Sequence, residues 1–216
     1  MNNEPILSQM ATALQAMMGW ELLAVLLALL YLLLAMKERI ECWYAAFFST
    51  AIYIFLFWDV SLLMESALQL YYLAMAVYGW WLWRKHANDD EELIIHTWSL
   101  RQHGIALAAL LLLTFISGSI LTANTSAALP YLDSFTTWGA VITTYMVTKK
   151  VLENWLYWIV IDGVSVFLYL DRELYLTAVL FILYVIIVIV GFMQWLPRYK
   201  QQQLVLDRLV IEEPRD

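Results

Sequence analysis

A single cysteine, Cys42, leaves this chain without an internal disulfide and without the ligands of a Cys-rich metal site. Histidine is almost as scarce. His86, His96 and His103 fall in one connection between apolar stretches, lack a metal-ligand spacing and read as solvated loop residues, so no metal is expected. There is no Walker loop and no dinucleotide glycine pattern, which removes ATP-driven pumping and Rossmann chemistry, and no cofactor is expected. Charge is thin as well: charged residues make up 14% of the chain and hydrophobic ones 63%, where a soluble domain carries roughly 25% and 45–50%. That balance describes a polytopic protein of the lipid bilayer. The net charge of -7 resides mostly in short loops and tails, such as Asp89 to Glu92 and Glu212 to Glu213, which gives no reason to expect nucleic acid as a partner. The first eighteen residues contain no Lys or Arg, as a secretory signal would need, so the N-terminus is expected to be retained. Ile6, Met10, Leu14 and Met17 share a helical face there and suggest an interfacial segment over 1–18.

What is present is a series of long apolar runs. Seven stretches meet the length a helix needs to cross the hydrocarbon core, at 19–36, 42–58, 62–83, 104–123, 133–148, 154–170 and 174–196. Continuous helices are expected in all seven, because backbone groups facing lipid must be satisfied within their own segment. Eleven of the twelve Lys and Arg residues fall on one side of this layout, with Arg172 alone on the other. The bias places the N-terminus in the periplasm and the C-terminus in the cytoplasm of a bacterial inner membrane.

Displacing the chain by 112 positions superimposes Lys37 on Lys149, Glu41 on Glu153, Trp43 on Trp155, Asp59 on Asp171, Tyr72 on Tyr184, Gly79 on Gly191 and Trp83 on Trp195. No gap is needed, and eleven identities fall within 47 positions, where this composition gives roughly four by chance. The chain therefore divides into an N-terminal segment at 1–18, a three-helix unit at 19–83, a cytoplasmic connection with a linker helix at 84–132, a second three-helix unit at 133–196 and a cytoplasmic tail at 197–216. Four helices separate the first span from the fifth, so both units enter the membrane in the same direction. The expected fold is an all-α integral membrane protein of seven transmembrane helices in a three plus one plus three parallel repeat, with its substrate site between the halves.

Asp162 stands at the middle of the sixth span, where an ionised carboxylate costs a few kcal/mol or more, so a functional role is its default reading. Trp155, Trp158, Asp162, Ser165 and Tyr169 recur at spacings of three and four and share one face. The equivalent stripe on the second span reads Trp43, Ala46, Thr50, Tyr53 and Phe57, and the two could face each other across a cavity. Gln69 and Tyr72 share a face of the third span. Trp20, Trp58, Trp80, Trp81, Trp83 and Trp195 lie near span ends and read as interfacial belt residues. Thr136, Thr137, Thr143 and Thr144 read as hydroxyls bonded within their own helix.

Taken together, Gln69-Leu-Tyr-Tyr, Tyr78-Gly-Trp-Trp-Leu-Trp83 and Glu153-Asn-Trp-Leu-Tyr-Trp158, with Asp162 and Tyr169, resemble the PnuC vitamin transporters over roughly residues 19–200. The resemblance implies a fold like that of the sugar-transporting SWEET proteins, assembly as a homotrimer, and facilitated diffusion of nicotinamide riboside, trapped by a separate cytoplasmic riboside kinase. Thiamin or riboflavin is carried by related branches. The residues fit the riboside on physical grounds also: Trp and Tyr faces stabilise its cationic ring by about 0.5–2 kcal/mol each. A carboxylate serves its ribose hydroxyls or its charge, and Gln69 or Asn154 its carboxamide. The substrate site is expected at Gln69, Tyr72, Tyr53, Thr50, Asn154, Trp155, Trp158, Asp162, Ser165 and Tyr169. The alternatives are another aromatic vitamin such as thiamin or, from a different class, a membrane receptor or enzyme without flux. An enzyme is disfavoured because the spans contain no His and only Cys42 as a thiol.

Overall fold

The computed structural model of the chain describes residues 19–59, 63–88, 93–125, 129–171 and 174–212, so the interfacial segment expected at 1–18 lies outside the described residues. Seven helices carry the described chain: α1 (Gly19–Ala35), α2 (Cys42–Asp59), α3 (Leu63–Asn88), α4 (Leu100–Asn124), α5 (Pro130–Thr148), α6 (Asn154–Asp171) and α7 (Tyr175–Glu212). All seven expected spans are present as helices. α3 and α7 outrun theirs, because a helix does not end where the bilayer does: Arg84 to Asn88 is polar, Arg198 to Glu212 mixes polar and apolar residues, and both are mostly helix-tolerant. Pro197 is accommodated inside α7, where it removes a single backbone donor. α4 begins earlier than expected because Ser99 caps it, its hydroxyl accepting from the Gln102 amide while the Gln102 side chain accepts from Ser99.

α2 packs against α1 and α3, and α6 packs against α5 and α7. α3 meets α5 and α1 meets α7, so six helices close into a ring, while α4 stands outside it against α5. The outer faces carry exposed Phe47, Phe55, Phe115, Phe167 and many Leu and Ile side chains, the surface a lipid environment requires.

The displacement of 112 positions recurs in the contacts. Trp43 and Trp83 meet edge to face at 5.3 Å, and Trp155 and Trp195 at 5.2 Å, both at 85°. The ring of Trp43 lies directly on Gly79 and that of Trp155 on Gly191, leaving no room for a Cβ at either glycine. Trp83 Nε1 donates to Thr148 O at 3.0 Å, and Trp195 Nε1 to Met36 O at 3.2 Å. Glu38 and Lys150, again 112 apart, turn the corners after α1 and α5 in the left-handed region, at φ 56° and 54°.

These Trp residues sit in one buried cluster with Met36, Cys42, Ile95, Val147, Leu152 and Val188. Trp83 and Trp195 are thus core residues and not the belt residues their span-end positions suggest. Trp20, Trp58 and Trp81 do face outward. The connection at 93–99 crosses this end of the ring: His96 N donates to Lys150 O, Leu152 N to His96 O, and Ile95 N to Gln202 Oε1. His103 is likewise not a free loop side chain, since its ring stacks on Tyr157 and its Nδ1 lies 2.9 Å from Tyr157 Oη.

Candidate functional site

The ring encloses a cavity of about 1200 Å³ lined by all six of its helices and by no residue of α4. Its lining runs from Glu21, Leu174 and Tyr175 at one end down to Trp43, Thr144, Trp158 and Val188, where the buried Trp cluster begins. The cavity therefore reaches the end of the ring where α1 and α7 start and is sealed at the other.

Eight expected site residues line it: Thr50, Tyr53, Gln69, Tyr72, Trp158, Asp162, Ser165 and Tyr169. Helical periodicity brings them together, since α2, α3 and α6 each turn one polar and aromatic face inward. Trp155 and Asn154 lie outside the lining. Trp155 is one turn below Trp158 on the same face, past the cavity floor, packed on Gly191 and Trp195. Asn154 is fully buried at the start of α6, where its amide nitrogen donates to Val151 O at 2.6 Å.

Asp162 is 4% exposed and lines the cavity together with Tyr72 and Tyr184. Ser165 does not serve it as a donor; its Oγ donates to Ile161 O at 2.9 Å. Thr50 and Thr144 bond back in the same way to Ala46 O and Ala140 O, each at 2.8 Å, and Ser49 bonds across to Ala24 O at 2.8 Å. Thr136 and Thr143 also bond within α5, as their sequence context suggested. A hydroxyl that has given its proton to a carbonyl keeps lone pairs, so this wall presents acceptors to whatever enters. Aromatic surface completes it, with Tyr169, Phe181 and Tyr184 in a run of ring contacts at 5.0 and 5.3 Å.

Sequence reasoning missed several lining residues. Glu21, Tyr31, Tyr175, Phe181 and Tyr184 belong to α1 and α7, whose sequences are so apolar that no polar stripe marks an inward face. Glu21 also lies at a span end, where a carboxylate is unremarkable in sequence. Tyr184 was legible as the partner of Tyr72 under the 112-residue displacement. Among the described residues the charged side chains of the lining are Glu21 and Asp162, both acidic, with no Lys, Arg or His beside them. Basic groups gather at the sealed end, where Lys149 lies over the rings of Tyr78 and Tyr145 and a hydrogen bond with Tyr78 raises its pKa.

An apolar-skinned helical ring around an aromatic, acid-bearing cavity has the form of a membrane protein with room for a small organic molecule inside it. The comparisons with known proteins agree. The family model described as "Nicotinamide mononucleotide transporter" matches residues 18–197. The chain is 22% identical over 205 residues to the nicotinamide riboside transporter PnuC of Escherichia coli K12, covering 83% of this chain and 86% of that protein. It is 24% identical over 180 residues to the riboflavin/roseoflavin transporter RibM of Streptomyces davaonensis, covering 79% and 81%. Among solved structures, that of the vitamin B3 transporter PnuC superimposes with a TM-score of 0.69 at 20% identity, covering 91% of this chain and 89% of that one. The chain belongs to the nicotinamide mononucleotide transporter family, and is a bacterial inner-membrane vitamin transporter of PnuC type, not an enzyme.

Proposed function

We propose that the chain carries nicotinamide riboside into the cytoplasm by facilitated diffusion, and that a separate cytoplasmic riboside kinase traps it. The observation that carries this reading is the chemistry of the lining: two acidic side chains, faces of Trp and Tyr, and no base among the described lining residues. A cationic aromatic ring is stabilised there by cation–π contact and by the carboxylates, whereas the phosphate of a mononucleotide would find no cation. Trp158 and the Tyr faces take the ring, Asp162 the ribose hydroxyls or the charge, and Gln69 the carboxamide. The back-bonded Thr50 and Ser165 accept from sugar hydroxyls, with Tyr53, Tyr72 and Tyr169 around them. Asn154 and Trp155 then act from beneath the floor.

The architecture proposed is the SWEET-like three plus one plus three parallel repeat, supported by the paired contacts at a displacement of 112 positions, with assembly as a homotrimer. The basic bias supports a periplasmic N-terminus, which turns the cavity toward the periplasm. Thiamin is the second reading, because it too is a cationic aromatic.

Protein in liposomes at zero membrane potential is expected to equilibrate labelled riboside without accumulating it, and to accumulate it only with riboside kinase and ATP enclosed. The clamp matters, since 100 mV biases a unit charge by about 2.3 kcal/mol. Accumulation driven by a proton or sodium gradient under that clamp would replace diffusion with ion coupling at Asp162. A vitamin panel in which thiamin binds and the riboside does not would replace the substrate.

A further inference from the structure

Beneath the cavity floor, the two halves of the ring are tied by polar contacts that each cross from one half to the other. Glu38, in the corner after α1, accepts from Lys150 Nζ on one carboxylate oxygen and from Arg198 Nη1 on the other, both at 2.9 Å. Lys150 belongs to the corner after α5 and Arg198 to α7. Trp83 of the first half bonds to Thr148 of the second, and Trp195 of the second to Met36 of the first. Lys150 Nζ also lies 5.0 Å from the Trp83 ring centroid, joining the ionic layer to the aromatic one.

We propose that Glu38, Lys150 and Arg198, with the layer of Trp43, Trp83, Trp155 and Trp195, form the gate on the sealed side, which opens when the ion contacts hydrate and the halves part. The proposal rests on the transport reading, because only a carried solute has to pass this layer.

Two features separate a gate from a permanent wall. First, the ties run between halves, so they break together if the halves separate there. Second, the closed state carries costs that water would relieve. The Glu38 and Lys150 side chains are mostly buried, and the Coulombic gain of such a pair is largely offset by lost hydration. The indole N–H groups of Trp43 and Trp155 are buried without a partner, and a wetted gate would hydrate them. Opening thus exchanges one set of interactions for another of similar worth, which is what a reversible switch requires. Glu38 and Lys150 hold the left-handed backbone that ends α1 and α5, where Arg39 N donates to Leu34 O and Val151 N to Met146 O, so the helix ends themselves present both side chains to the opposite half.

Two measurements test this. In a Cys42→Ala background, Glu38→Cys with Lys150→Cys is joined by a short bifunctional methanethiosulfonate. The linked protein is expected to bind nicotinamide riboside within twofold of the unlinked form, while exchange flux falls at least tenfold and returns on reduction. Full flux through the linked protein, or loss of binding, would overturn the gate. Independently of any substrate, Cys42 is fully buried in this cluster and serves as a native reporter. Glu38→Gln and Lys150→Met, each in the otherwise unchanged chain, are expected to raise its alkylation rate severalfold with the thermal transition retained. An unchanged rate in both, or acceleration only where the transition is lost, counts against the gate. If the wild-type chain binds no riboside, the substrate reading fails, and the Cys42 rates still decide the gate.

Discussion

The two ends of the helical ring are made from the same six helices and spend their aromatic residues differently. At the cavity end, Tyr and Trp faces line open space beside Glu21 and Asp162. At the sealed end, four Trp side chains pack on each other and on Gly79 and Gly191, and the carboxylate of Glu38 is neutralised by two cations. The same residue type therefore serves recognition at one depth and cohesion at another, and what decides between them is whether the opposite half supplies a partner. Trp155 and Trp158 show this most directly. They are neighbours on one face of α6, one turn apart, and the floor of the cavity passes between them.

Substitutions can break that comparison. The largest effect is expected at the sealed end, where Trp195→Ala removes a fully buried ring and its bond to Met36, costing about 3–5 kcal/mol of stability in thermal unfolding. Trp158→Ala, whose ring is only partly buried against the Trp cluster, should cost less stability than Trp195→Ala and weaken riboside binding by about 1–3 kcal/mol, measured by titration. Unchanged affinity in a folded Trp158 variant would remove that ring from the site.

Gly79→Ala and Gly191→Ala sharpen the comparison of the two halves. Each pushes a Cβ into the Trp ring that rests on it and should cost about 1–3 kcal/mol, by similar amounts in the two variants. A large cost in one and none in the other would mean that the halves are not packed alike. The smallest effect is expected for Glu21→Gln at the cavity rim, a loss of about 0.5–1 kcal/mol in riboside affinity at low salt that fades as the Debye length shortens. A salt-independent loss would place Glu21 in direct contact with the substrate.

Much of this was legible in the sequence, for reasons that also mark the boundary. Spans follow from transfer energetics, and the face of α6 that carries Asp162 follows from the 3.6-residue period. Periodicity reports direction around a helix, however, and not depth along it. Trp155 and Trp158 were therefore indistinguishable until the floor was located. Trp83 and Trp195 looked like belt residues because their position in the span is visible, while the carbonyls of Thr148 and Met36 that receive them come from 65 and 159 positions away. Glu21 was hidden because polarity at a span end has an ordinary explanation. Glu38 and Lys150 fall at equivalent positions under the 112-residue displacement but are not identical, so the repeat did not mark them, and their contact with each other depends on how the halves close.

α4 lines none of the cavity, touches the ring through α5, and presents Leu111, Leu112, Phe115 and Ile120 to its surroundings. In the proposed three plus one plus three parallel repeat, its contribution is one of parity. Each three-helix unit has an odd number of spans, so joining two of them directly would insert the second upside down relative to the first. One additional crossing restores the orientation, and for that purpose hydropathy and length matter more than the identity of individual side chains. A saturation mutagenesis scan should find the outward positions of α4 among the most permissive in the membrane region, with intolerance confined to the α5 face, where Gly118 admits the ring of Tyr131.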